Sequence, residues 1–225
     1  MEVNKMIKSV IFDIDGTLLD TEYAVLNSLR DAIWELKNEH VELPELTFAL
    51  GIPGEMALKQ LGITDTQNGN IIWNACFANY SHTIRLFDGV ADVLKELKNE
   101  GYKLGVITSK NREEYKTDFT PFGLDSYFDT IICAGDSDRP KPFPDPMLKY
   151  LELSGTKKDE AIYIGDTSYD MQCASEAGVA FGLALWGCHN LNNIRADYYY
   201  NRPDDILQIL FVNRNVQTEM PWIKL

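Results

Sequence analysis

The chain is short of three things. Its four cysteines, Cys76, Cys133, Cys173 and Cys188, are far apart and form no CxxC pair. That points to buried free thiols in a reducing cytoplasm rather than to a disulfide framework. No apolar stretch approaches the roughly 18 residues of a membrane span, and Met1 to Ser9 contain no apolar signal-peptide core. Positive charge is also scarce: 21 Lys and Arg stand against 34 Asp and Glu, for a formal net charge of -13. Such a chain is expected to avoid nucleic acid and anionic membranes, since no local basic patch offsets the field. An anionic substrate would need a metal ion or a few placed cations. Internal repeats and low-complexity segments are absent too.

What is present is ordinary globular material. The 225 residues, 45% hydrophobic and 24% charged, suit one large domain or a core with an insertion. A short apolar run from Lys8 to Phe12 reads as a buried strand. From Thr21 to about Arg85 the spacing turns helical, first at Tyr23, Leu26, Leu29, Ile33 and Leu36. Asp20 or Thr21 can cap that helix. Gly51-Ile52-Pro53-Gly54 breaks the pattern. Helical spacing resumes at Met56, Leu58 and Leu61, ends at Gly62, and returns from Ile71 to Ile84.

From Asp88 strands and helices alternate. The spacing predicts helices over Val90–Leu97, Glu113–Phe119, Asp145–Leu153, Ser168–Ala177 and Pro203–Leu210. It predicts strands over Leu104–Ile107, Asp129–Cys133, Ala161–Ile164, Ala180–Leu185 and Asp197–Tyr200. This alternation implies an α/β fold with a doubly wound parallel sheet. An α-helical unit, residues 21–85, is inserted into a core made of 1–20 and 86–225. Ligands of such sheets bind beyond the carboxyl ends of the strands, where Asp13, Thr108 and Asp166 fall.

Four segments at or near those ends carry chemistry. Asp13 and Asp15 flank one residue after the first strand. Two buried like charges there would be costly, and a hard divalent cation such as Mg²⁺ resolves the conflict. On that reading Asp13 attacks phosphorus, while Asp15 protonates the leaving oxygen and then activates water. Gly16 allows the sharp turn that follows. The alternative is a plain acidic turn. The Thr108 hydroxyl, with the backbone N–H groups after it, could hold a phosphoryl oxygen, or it could cap a helix. Lys141, between Pro140 and Pro142, could neutralise the transferring group, or it could be a solvated loop lysine. Asp166 and Asp170, about one helical turn apart, could serve a metal or the helix N-terminus.

Together these segments resemble the haloacid dehalogenase superfamily, and more narrowly its phosphoglycolate phosphatase, pyrophosphatase and β-phosphoglucomutase branch. Asp13-x-Asp15-Gly16-Thr17-Leu18 matches the first motif, Thr108 the second, Lys141 the third, and Gly165-Asp166-x-x-x-Asp170 the fourth. The resemblance implies Asp13 as nucleophile, Asp15 as acid/base, and Thr108, Ser109, Gly16 and Lys141 around the phosphate. It implies Mg²⁺ on the carboxylates of Asp13 and Asp166 and the backbone carbonyl of Asp15, with Asp170 binding the metal or orienting its ligands. The helical insert matches the family's cap, and Trp186-Gly187 also fits the branch. Ser109 departs from it, standing where phosphoglycolate-type enzymes often have Asn. So does Asp88-Gly89-Val90, where Pro-Gly-Val is usual.

The expected activity is Mg²⁺-dependent hydrolysis of a small phosphorylated metabolite, a phosphate monoester, through an aspartyl-phosphate. A phosphomutase of the β-phosphoglucomutase type shares that intermediate. A silent binding module would have lost a motif residue, and none is lost. Leu50 to Glu55 could face the site, and Glu22, Lys59, Lys110 and Arg112 are candidate substrate contacts, or solvated surface residues. The tail Met220 to Leu225 could pack on the core or meet a partner.

Overall fold

The computed structural model describes residues 6–208. The tail from Met220 and the expected helix end at Leu210 lie outside them. Eight strands form among the described residues: β1 (Ser9–Phe12), β2 (Leu19–Asp20), β3 (Arg85–Leu86), β4 (Lys103–Ile107), β5 (Thr130–Ile132), β6 (Ala161–Gly165), β7 (Ala180–Ala184) and β8 (Tyr198–Tyr200). The α-helices are α1 (Glu22–Lys37), α2 (Gly54–Gln60), α3 (Thr66–Ala78), α4 (Val90–Asn99), α5 (Arg112–Glu114), α6 (Asp145–Ser154) and α7 (Ser168–Ala177).

Six strands make one parallel sheet in the order β5-β4-β1-β6-β7-β8. Its central strand β1 is buried throughout, as is β6. The strand pleat sends alternate residues to opposite faces, and two separate cores result. Val10, Phe12, Leu104, Val106 and Ile164 pack with α4 on one face. Ile11, Ile107, Tyr163, Phe181 and Leu183 pack with α6 and α7 on the other. Helices thus cover both faces, which explains why these strands read as continuous apolar runs.

The short strands β2 and β3 pair antiparallel, Leu19 with Leu86 and Asp20 with Arg85. Between them run α1, α2 and α3 with an apolar core of their own, built from Leu26, Leu29, Ile33, Leu46, Leu58 and Trp73. Trp73 Nε1 donates to Ser28 Oγ at 2.9 Å and so ties α3 to α1. Helix α3 starts earlier than its apolar spacing suggested, at Thr66, because Asp65 accepts from Asn68 N. It stops at Ala78, and the chain turns through a 3-10 segment at Ser81–Thr83. Gly69 lets it lie close to Leu58, whose Cδ1 a Cβ there would meet at 3.0 Å.

Two other expected helices differ. The predicted Glu113–Phe119 helix is a single α turn followed by a π segment at Tyr115–Phe119 and a 3-10 turn at Thr120–Phe122. Pro121, which lacks an N–H, ends regular hydrogen bonding. The Tyr115 and Phe119 rings meanwhile meet in the core at a tilt of 38°, with centroids 5.2 Å apart. Pro203–Leu207 is 3-10 rather than α. No helix among the described residues is long and apolar enough to cross a membrane.

Candidate active site

Strand register assembles the site. Phe12 pairs with both Val106 and Ile164, so the chain leaves β1, β4 and β6 at the same edge. Asp13 N donates to Ile164 O at 2.9 Å, and Thr108 N donates to Ile132 O at 3.0 Å. Asp13, Thr108 and Asp166 are all buried there.

Lys141 reaches this edge from the proline-rich loop and is only 2% exposed. Its Nζ stands 2.9 Å from Asp13 Oδ1 and 2.7 Å from Asp170 Oδ1. Burial alone would push the ammonium pKa down, but the two carboxylates outweigh that and raise it. The solvated-lysine alternative is therefore ruled out. Tyr163, in β6, was not singled out by its sequence position. Its hydroxyl accepts from Lys141 Nζ at 3.3 Å and lies 2.8 Å from Ile107 O and 2.9 Å from Asp170 Oδ1. A tyrosine inside an apolar strand run reads as core, and only the fold brings its hydroxyl to the lysine.

Asp170 is fully buried. Its Oδ2 accepts from Thr167 N at 3.0 Å and Thr167 Oγ1 at 2.6 Å, a capping box at the start of α7. The capping and site readings of this residue therefore hold together. Asp166 accepts from Thr17 Oγ1 at 3.1 Å.

Asp13, Asp166 and Asp170 form a buried cluster whose oxygens lie within 4.8 Å of one another. Burial, then the neighbouring carboxylates Asp170 and Asp13, push Asp166 well above the usual carboxylate range. Burial likewise raises Asp13 to about 7, against the opposing pull of Lys141. Asp13 Oδ1 accepts no hydrogen bond despite its closeness to Lys141. Three buried carboxylates thus face one ammonium. That donor set, all oxygen and short of positive charge, fits a hard divalent cation.

The Asp15 side chain is not in this cluster. Its Oδ1 stands 3.2 Å from Lys110 Nζ, which also lies 2.9 Å from Asp118 Oδ2. Lys110 N donates to Thr108 Oγ1 at 3.1 Å, so this hydroxyl braces its own loop. The helix cap is Asn111 instead. Gly16 has φ 78°, and a Cβ on it would overlap the Asp166 carboxylate. Trp186 Nε1 donates to Thr17 O at 3.0 Å and holds the same turn from β7's end.

A cleft of about 170 Å³ opens over Asp15, Gly16 and Asp166 and is closed on its far side by α1, α3 and the Leu50 to Gly54 segment. Ser109 Oγ donates to Gly51 O at 3.0 Å across it. Of the suggested substrate contacts, Glu22 and Lys110 line the cleft. Lys59 pairs with Glu55 in solvent, and Arg112 pairs with Asp136; neither lines it.

The haloacid dehalogenase-like hydrolase model matches residues 10–184. The chain is 29% identical over 218 residues to the pyrophosphatase PpaX of Halalkalibacterium halodurans, covering 94% of this chain and 99% of that protein. It is 29% identical over 204 residues to a phosphoglycolate phosphatase of Aquifex aeolicus, covering 89% and 95%. The crystal structure of a hydrolase from Pseudomonas syringae superimposes with a TM-score of 0.81 at 26% identity, covering 91% of this chain and 98% of that one.

Proposed function

The chain belongs to the haloacid dehalogenase-like hydrolase family, and from that premise we propose that it is a Mg²⁺-dependent phosphatase of small phosphate monoesters, working through an aspartyl-phosphate on Asp13. The observation that carries this reading is Lys141, buried between Asp13 and Asp170 beside Asp166. A carboxylate at a strand end, held by one ammonium and short of further positive charge, suits an in-line nucleophile in a metal site.

Asp13 and Asp166, with the Asp15 backbone carbonyl, would hold the Mg²⁺. The ion, when bound, supplies charge neutralisation for the carboxylates and the phosphoryl oxygens. Asp170, fixed by Lys141 and Thr167, orients this set. Lys141 favours ionised Asp13 and offsets charge on the transferring group. Thr108, Ser109 and the turn at Gly16 surround the phosphoryl oxygens; the Gly16 N–H itself donates to Leu19 O at 2.8 Å and so shapes the turn. Asp13 bonds to phosphorus as the ester oxygen leaves, and Asp15 gives that oxygen a proton. Asp15 then takes a proton from water, whose oxygen bonds to phosphorus as the Asp13–phosphorus bond breaks.

Residues 21–85 act as a cap hinged at the β2–β3 ribbon, admitting substrate when open and excluding water when closed. The contact from Ser109 to Gly51 supports closure onto the core. The four free thiols support a cytoplasmic site of action.

The test is single turnover of an aryl phosphate with Mg²⁺, followed by acid quench and mass analysis. Phosphate on Asp13 is expected, and it should be absent in Asp13→Asn. Aryl phosphate turnover with no phosphorylated protein and a fully active Asp13→Asn variant would overturn the covalent route.

A further inference from the structure

The proposed function leaves open which alcohol the phosphate leaves behind, and the charges lining the cleft bear on that. Six carboxylates face it: Asp15, Asp20, Glu22, Glu114, Asp118 and Asp166. Against them, among the described residues, stand only two ionisable cations, Lys110 and His189. Lys110 is already held between Asp15 and Asp118. His189 sits 3.5 Å from Glu22. Lys141 is buried beneath, engaged by Asp13 and Asp170.

A metal ion would offset the carboxylates around Asp13 and serve the transferring phosphoryl group. Asp20, Glu22 and Glu114 then remain towards the rest of the substrate. No cation stands within ion-pair distance of Asp20 or Glu114 among the described residues. Glu114 Oε1 instead accepts from Asn74 Nδ2 at 3.4 Å. The cations that could have met a second anion, Lys59 and Arg112, are turned to Glu55 and Asp136. The rest of the wall is uncharged: amides such as Asn70 and Asn74, aromatics such as Phe77 and Trp186, and aliphatic side chains such as Val25 and Ile52. A carboxylate or second phosphate in this cleft would meet like charge with no free cation among the described residues, only neutral donors such as Asn70, and rejection by unpaired charge is a strong source of specificity. An ammonium or hydroxyl would instead find acceptors.

We propose that this cleft selects phosphate monoesters of hydroxylated or amino alcohols and discriminates against substrates with a second anionic group. The inference rests on the phosphatase reading above. It sets this chain apart from the pyrophosphatase and phosphoglycolate phosphatase relatives it resembles.

Phosphoethanolamine and phosphoglycolate form a near-isosteric pair that differs in ammonium against carboxylate. The experiment measures kcat/KM with Mg²⁺ for these two, for glycerol 1-phosphate and for pyrophosphate, alongside an aryl phosphate. The amino and glycerol esters are expected to exceed both dianionic-type competitors by about tenfold or more. Glu22→Gln and Glu114→Gln should narrow that gap, chiefly through KM for the amino ester. Equal use of the four, no use of any of them, or a preference for phosphoglycolate or pyrophosphate would overturn the proposal. Aryl phosphate turnover that depends on Asp13 would still stand in that case. Its absence would instead mark failure of the phosphatase reading itself.

Discussion

Gly187 packs directly against Gly16, 171 positions earlier in the chain: a Cβ at 187 would overlap the Gly16 carbonyl oxygen. The obstacle is backbone, which cannot swing aside as a side-chain end can. Gly16 in turn has no room for a Cβ against the Asp166 carboxylate. The strand end carrying Trp186-Gly187, the first acidic turn and the Asp166 carboxylate are therefore stacked in series.

Gly187→Ala is expected to displace the Asp15-Gly16 turn and lower kcat by about tenfold or more, with a cooperative fold retained. Gly101→Ala is the control. Gly101, unlike Gly187, has a positive φ, 82°, but nothing lies within 4 Å of its Cβ position. That variant should lose only about 1–2 kcal/mol of stability and keep its kcat. Steady-state kinetics and urea melts on both variants distinguish the two effects. An unchanged kcat in Gly187→Ala would mean the turn tolerates the shift.

Lys141→Met removes the only ammonium that touches Asp13 and Asp170 among the described residues and leaves buried charge uncompensated. The loss should be about 3–5 kcal/mol at pH 8. It should be smaller at pH 5, where Asp13 can take up a proton. Urea unfolding of metal-free protein at the two pH values checks this. A loss that did not vary with pH would separate Lys141 from the carboxylate charge.

Asp13 has its pKa raised, by burial first, from 3.8 to about 7. The folded state therefore binds a proton that the unfolded chain releases near pH 4. For this group, metal-free stability is greatest below pH 4, falls as pH rises to about 7, and levels off above. The difference in unfolding free energy between wild type and Asp13→Asn, which cancels most other titrations, should fall across that window. Asp13→Asn should thus be the more stable protein at pH 8 without metal, though inactive.

Mg²⁺ at 100 times its dissociation constant adds about 2.7 kcal/mol. For a chain of this size that raises Tm by about 5–10 °C. The rise should be larger at pH 8 than at pH 5, since protons compete for the same carboxylates. A Tm that ignores Mg²⁺ at both pH values would argue against the cation site.

Asp15→Ala should slow Asp13 phosphorylation strongly for alkyl phosphates and little for aryl phosphates, whose leaving oxygen needs no proton. The phosphorylated protein should then accumulate, because water is no longer activated. Rapid-quench kinetics on both ester types measure this. Equal slowing for both would remove the acid role from Asp15.

Residue spacing and charge placement made the architecture and most of the candidate site legible in the sequence itself. Strands such as Val10 to Phe12 and Ala161 to Ile164 are buried on both faces, so their apolar runs needed no context to be read. Asp13 and Asp166 stood out because a charge at the end of such a run demands a partner, Asp170 by its spacing of about one helical turn from Asp166, and Lys141 by the prolines on either side of it. Tertiary structure alone decided the partners. The Tyr163 hydroxyl meets Lys141, Lys110 turns between Asp15 and Asp118, and Gly187 seats on Gly16, each across more than 20 or even 170 residues or through a loop whose path no periodicity encodes. It also turned Lys59 and Arg112 away from the cleft. Local spacing fixes which face of a strand or helix a residue occupies. What stands opposite that face depends on the register and packing of distant segments, so the charge balance of the cleft became legible only in three dimensions.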